Sequence, residues 1–159
     1  MIIGLVLIPI LAAAYLFSAV FGEHVERKEF GSRSDATNEI DFPLVNSATN
    51  IFSYAAVGGM QSLDVYLRLK VAANDITNQI NLVIADSNHR YNQTLRYEKR
   101  KINESEEFPR PSVRWWDKSV HWWNPEIITN GYYIGAEGAY ADHIWVDESN
   151  GILFIQQND

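Results

Sequence analysis

Residues 64–71 have the sequence DVYLRLKV, which gives the clearest indication of the fold class. Apolar side chains occupy every second position, at Val65, Leu67, Leu69 and Val71. A period of two is typical of a β-strand with one buried side and one side facing solvent. The stretch therefore predicts one strand of an antiparallel sheet.

The segments before and after this strand complete a β-β-α unit. Residues 50–57 are apolar and aromatic and end at a Gly-Gly turn signal, so they predict a strand that pairs with residues 64–71 as a hairpin. Apolar residues then fall on one stripe at helical spacing and predict a helix ending near residues 86–89: Ile76, Ile80, Val83 and Ile84.

The C-terminal part of the chain predicts three more strands. Residues 132–134 form one, and residues 143–147 and 152–156 form a hairpin around Asn150 and Gly151, a pair suited to tight turns. The order is β-β-α, a Trp-rich loop, then β-β-β. This order predicts an α+β domain with about five antiparallel strands and one main helix.

Two segments rich in charge do not alternate and are predicted to be irregular. Residues 23–45 have many charged and few apolar side chains and read as a polar linker. Residues 98–114 begin with Glu-Lys-Arg-Lys and end near a Pro-x-Pro element, which predicts an exposed connection. The folded domain is accordingly placed at residues 46–159.

Residues 1–22 contain no Asp, Glu, Lys or Arg. A helix over residues 2–22 would be roughly 31 Å long, against a bilayer core about 30 Å thick. A signal peptide cleaved after Gly22 is an alternative, but the basic start is missing and the apolar run exceeds a signal core. A buried helix of a soluble domain is disfavoured because this helix is apolar on all sides. We expect a retained single-pass membrane anchor.

The side of the membrane on which the domain lies is less constrained. Arg27, Lys28 and Arg33 come after the apolar stretch and nominally favour a cytoplasmic domain. A short N-terminal anchor, however, most often serves to place the attached domain outside the cytoplasm. We expect an extracytoplasmic domain.

Composition excludes several classes of protein and site. The chain has 20 acidic and 13 basic residues and a net charge of −7, which disfavours a nucleic-acid partner. It has no cysteine, so disulfides, thiolate zinc sites and cysteine nucleophiles are excluded. No local catalytic or cofactor motif is present, so we expect neither an enzyme nor a cofactor.

Metal binding has little support from the histidines. None of His24, His89, His121 and His143 has a neighbour at the spacing of a local zinc clamp. A site assembled across the fold from His121 and His143, with Asp117 or Asp142, is the alternative.

Residues 113–125, VRWWDKSVHWWNP, contain four of the chain's five Trp residues. Trp can fill a core, anchor a protein partner, rest at a membrane interface or stack on a sugar. Packing of most rings against the sheet and exposure at an interface both remain open. The predicted interface consists of Arg114, Trp115, Trp116, Trp122 and Trp123.

These features favour a small membrane-anchored domain that binds a protein or surface ligand through its Trp-rich loop. One alternative is an exported hydrolase or carbohydrate-binding protein acting on surface glycans, with Trp subsites and a carboxylate pair. Another is an accessory subunit of a membrane complex.

Overall fold

The computed structural model describes residues 26–39, 41–57, 63–102, 120–136 and 142–158. Within them the elements are, in chain order, β1 (Glu26–Phe30), α1 (Arg33–Glu39), β2 (Thr49–Val57), β3 (Leu63–Lys70), α2 (Ile76–Arg90), β4 (Tyr97–Lys101), β5 (Gly131–Ala136), β6 (His143–Asp147) and β7 (Ile152–Asn158). The expected anchor at residues 1–22 lies outside these ranges. No helix in the described ranges has the length and hydropathy of a membrane span.

The α+β class is confirmed. The described strands form one sheet in the order β1-β2-β3-β7-β6-β5-β4, with every neighbouring pair antiparallel. Both predicted hairpins are present, as β2–β3 and β6–β7. The turn between β6 and β7 ends at Gly151, whose φ of +65° is accessible to glycine without strain.

The strand count is a correction, because the described sheet has seven strands where about five were predicted. The two additional strands, β1 and β4, are the edges of the sheet. The segment predicted as an irregular linker, residues 23–45, contains β1 and also the helix α1. Strand β4 overlaps the start of the predicted exposed connection, residues 98–114. Edge strands often contain charged residues, which oppose pairing with other chains. That charge hides the alternation by which a strand is recognised in sequence.

Part of the predicted linker also packs into the core. Phe42 is buried, and the buried Gln79 of α2 holds the residues after it. The Gln79 side-chain amide donates to the carbonyl of Pro43 at 2.8 Å, and its side-chain carbonyl accepts from the Val45 amide at 3.0 Å. Residues 42–45 therefore belong to the folded domain, although the charge around them predicted solvent exposure.

The sheet is covered on both faces. On the inner face, the predicted stripe of α2 packs on aliphatic side chains of four strands: Leu67, Leu69, Ile134, Ile144, Val146, Leu153 and Ile155. The outer face is aromatic, with Tyr54, Tyr66, Tyr133, Trp145 and Phe154 packed under residues 120–128. Alternation along β3 predicts that Tyr66 faces solvent, but it is only 2% exposed because this second layer covers it.

Candidate functional site

Trp123 lies at the centre of the outer face. Its ring meets those of Tyr66, Phe154 and Trp145 edge-on, with centroid distances of 5.1, 5.6 and 5.8 Å. It is 5% exposed. Edge-on contacts are electrostatically favourable, because the positive edge of one ring meets the negative face of the other. Trp123 is therefore a core residue, which is one of the two roles left open for the Trp-rich loop.

Trp122 is in a different environment from its neighbour. It is half-buried and tilts by 30° against the half-buried Phe52 of β2, with the centroids 5.8 Å apart. It also meets Trp123 edge-on at 6.2 Å. Trp122 is thus held in place by packing while part of it stays accessible. The other predicted interface residues, Arg114, Trp115 and Trp116, lie outside the described residues.

Arg68 completes this part of the surface. Strand register places it between Phe52 of β2 and Phe154 of β7. The guanidinium carbon is 5.6 Å from the Phe52 centroid and 5.8 Å from the Phe154 centroid, within cation–π range of both rings. We call the half-buried residues Phe52, Arg68 and Trp122 the Trp122 patch.

Sequence reasoning missed Arg68 and Phe52 as site residues. Alternation assigns Arg68 to the solvated side of its strand, which is correct locally. Its position between two phenylalanines depends on strand pairing, and Arg68 and Phe154 are far apart in the chain. The proximity of Phe52 to Trp122 likewise has no local signal. The alternation of residues 64–71, which turns Arg68 away from the aliphatic core, is the one local signal that indicates its position on the outer face.

A tyrosine–histidine pair lies elsewhere on the outer face. The Tyr133 hydroxyl and His143 Nδ1 are 2.5 Å apart. Gly135 makes this contact possible, because a Cβ there would collide with the Tyr133 hydroxyl. Burial raises the pKa of Tyr133 to about 12 and lowers the pKa of His143, so both groups are neutral at pH 7. With both rings against Trp145, the pair links β5 to β6.

An ion pair between the partly exposed Arg90 and the buried Asp142 lies on the opposite face. Asp142 is 0% exposed and accepts from Arg90 Nη2 at 2.8 Å and from Gln157 Nε2 at 3.4 Å. Arg90 also donates to Asp86 at 2.9 Å. Burial raises the pKa of Asp142 to about 6, because desolvation outweighs the attraction of Arg90. The pair fastens the C-terminal end of α2 to the sheet.

The alternative metal site is not assembled from the described residues His121, His143 and Asp142. His143 contacts the outer-face residues Tyr133 and Trp145, whereas Asp142 contacts α2, so they point to opposite faces. His121 is exposed, and Asp117 lies outside the described residues. No cluster of His, Asp and Glu in the described ranges is arranged to hold a metal ion.

In comparisons with known proteins, no family model, curated protein or solved structure matches the chain. Among the predicted interface residues in the described ranges, Trp123 is in the core and Trp122 remains partly accessible, beside Phe52 and Arg68.

Proposed function

We propose that this chain is a membrane-anchored binding domain that contacts a partner protein at the Trp122 patch. The observation that carries the proposal is the contrast between two adjacent tryptophans, since Trp123 is in the core and Trp122 is partly accessible. Trp and Arg are among the residues that contribute most energy at protein interfaces. The patch holds one of each.

The packing of the patch also supports binding. Trp122 rests on Phe52 and Trp123, and Arg68 lies between two phenylalanine rings. Side chains already held in one conformation lose less entropy when a partner binds. A partner that binds here therefore buries a preorganised aromatic surface.

The membrane part of the proposal rests on residues 2–22. Their apolar side chains suit a single-pass helix, and strand β1 begins at Glu26. Only three residues separate the two segments in the chain, and the four Cα–Cα steps from Gly22 to Glu26 span at most about 14 Å. The domain would sit close to the bilayer, outside the cytoplasm. Its partner would be a membrane protein or a protein near the membrane surface.

Site-specific photo-crosslinking of the full chain in living cells tests the binding role. A photoreactive residue replaces Lys70, which is exposed and lies two positions from Arg68 on β3. The matched control places it at the exposed Gln93, after α2. We expect a discrete heavier product from position 70 that disappears with Trp122→Ala. The same product from position 93, or none from position 70, would contradict the proposal.

Two C-terminal reporter fusions test the anchor and its orientation. One reporter is active only outside the cytoplasm and the other only inside. We expect activity of the first alone, with the full-length product in the membrane fraction. A shorter product in the soluble fraction would indicate a cleaved signal peptide instead.

The exported-hydrolase alternative makes a separate demand. It requires that the purified full chain bind or cleave surface polysaccharides or peptidoglycan. If the chain neither cleaves these substrates nor binds to them, the exported-hydrolase alternative is excluded.

A further inference from the structure

We propose that Arg68 binds a carboxylate supplied by an acidic, apolar-flanked segment of the partner protein. This inference rests on the proposed binding function and specifies the chemistry of the partner. It concerns the same surface, the Trp122 patch, but a different interaction from the stacking of Trp122. The Trp122 patch alone would accept many apolar partners, whereas a contact between Arg68 and a carboxylate selects those with an acidic residue.

The geometry holds the guanidinium in place. Phe52, Arg68 and Phe154 form one row across β2, β3 and β7, because they are paired directly in the sheet. The guanidinium carbon is 5.6 Å from one ring centroid and 5.8 Å from the other. Guanidinium has five N–H donors in a planar fork that matches the two oxygens of a carboxylate.

Those donors have no acidic partner within the described residues. Elsewhere in the described residues, Arg90 pairs with Asp86 and Asp142, and Arg100 pairs with Glu98. Asp147, at the end of β6 on the outer face, accepts instead from the backbone and side-chain amides of Asn150, at 3.1 and 2.8 Å. In a chain of net charge −7, the contacts of the Arg68 cation in the described ranges are thus with aromatic rings.

Partial burial strengthens the attraction between the Arg68 guanidinium and a carboxylate. Arg68 is half-buried, and the groups beside it are apolar. A carboxylate that reaches it interacts through a medium less polarisable than bulk water, so the attraction is stronger than at an open surface. Apolar residues flanking the acid can meanwhile rest on Phe52 and Trp122.

A protein segment fits this surface better than a sugar does. Glycan recognition needs an open ring face together with several polar groups for the hydroxyls. Trp122 has Phe52 against one side and Trp123 at its edge. Phe52 and Phe154 contribute no polar groups, so the guanidinium is the main donor of this row. A single guanidinium between aromatic rings is complementary to a partner segment in which one acidic residue is flanked by apolar side chains.

Peptide selection tests the inference. The full-length chain in detergent micelles is panned against a random dodecapeptide library displayed on phage, and enriched sequences are synthesised for titration. We expect enrichment of Asp or Glu flanked by apolar residues. Changing that acid to its amide, or Arg68→Met, should weaken binding about tenfold or more. Arg68→Lys should lose part of the affinity, because an ammonium cannot bind both oxygens in a fork.

Lys70→Met is the matched control, since it removes an exposed charge from the same strand and should change affinity by less than about twofold. Thermal unfolding of each variant verifies folding, and Arg68→Lys keeps the test valid if Arg68→Met unfolds. Enrichment without acids, no enrichment, or equal losses in Arg68→Met and Lys70→Met would overturn the inference. Arg68-dependent binding of polygalacturonate in place of peptides would also overturn it.

The two proposals fail separately. If the crosslinked product from position 70 still forms in Arg68→Met, the proposed binding function stands and the inferred carboxylate contact is wrong. Absence of any such product removes the binding function itself.

Discussion

Trp122 and Trp123 are adjacent and chemically identical, yet they have different roles in the structure. Trp123 meets three aromatic rings and is buried, while Trp122 rests on Phe52 and stays partly accessible. Neither role could be predicted from the sequence, because a loop has no period that separates an inner from an outer side. The difference arises from the rings that other strands place beneath each residue.

Truncation of the two residues should therefore have unequal effects on stability. Trp123→Ala removes a central ring from a packed layer and should lower the free energy of unfolding by about 3–5 kcal/mol. Trp122→Ala loses partial packing and the ring contacts with Phe52 and Trp123, about 1–2 kcal/mol. Urea denaturation followed by tyrosine fluorescence and circular dichroism measures both. Equal losses would place Trp122 in the core as well.

Asp142 is the second residue whose role depends on the fold. In sequence it is one acid among many, but in the structure it is fully buried against Arg90 and Gln157. Arg90 and Asp86 face it from α2, and Tyr97 of β4 lies close enough to be affected by its charge. Burying a carboxylate in this way makes folding stability depend on pH.

The folded-state pKa of Asp142, about 6, is above its ordinary value of 3.8. The folded state therefore holds its proton more tightly, and that stabilisation is present at low pH and lost as pH rises through 6. Relative to Asp142→Asn, the wild type should lose about 2 kcal/mol of stability between pH 4 and pH 7. Urea titrations of both proteins across this range measure the difference. A constant difference would show that Asp142 titrates normally.

Arg90→Met provides the control for this pair. At pH 7 it leaves a buried carboxylate without its cation and should destabilise the domain by about 3 kcal/mol or more. The loss should shrink at pH 5, where Asp142 takes up a proton, and should nearly vanish in the Asp142→Asn background.

At the scale of the element, the two edge strands explain where prediction from sequence failed. β1 has the sequence ERKEF and β4 has YEKRK. Inner strands alternate or are apolar on both sides because layers cover them, as in β3 and β7. An edge strand pairs on one side only, and charge on it prevents further pairing. The same charge makes it resemble a linker.

Removing charge from β4 should thus promote association. Arg100 and Lys101 are exposed on this strand, so Arg100→Val with Lys101→Val creates an apolar edge with high strand propensity. We expect concentration-dependent association in light scattering, with the free energy of unfolding changed by less than about 1 kcal/mol. Arg96→Val, an exposed change before the strand, should stay unassociated. Identical behaviour of both proteins would show that the charges do not protect the edge.

At the scale of the whole molecule, β7 is the centre of the sheet. It pairs with β3 on one side and β6 on the other, and so joins the N-terminal hairpin to the C-terminal strands. Its alternate side chains enter both layers, with Leu153 and Ile155 on the aliphatic face and Phe154 on the aromatic face. Strand β7 therefore links the two halves of the described sheet.

Backbone hydrogen exchange should reflect this arrangement. Amides of β3 and β7 have a strand on each side and covered faces, so they should exchange only through global unfolding. Amides of β1 and β4 should exchange faster, through local opening at the edges. Mass spectrometry of peptic fragments of the full chain resolves these segments. Equal protection of β4 and β7 would contradict a sheet centred on β7.

Local sequence patterns were enough to predict the α+β class, the two hairpins, the position of α2 and its buried stripe. These features depend on periodicity and turn residues that lie within a few positions of one another. Tertiary structure alone decided the sheet order, the edge strands, the different environments of Trp122 and Trp123, the place of Arg68 between two rings and the burial of Asp142. Each of these depends on strand pairing or packing between residues distant in the chain, and no local pattern records which distant residues will meet.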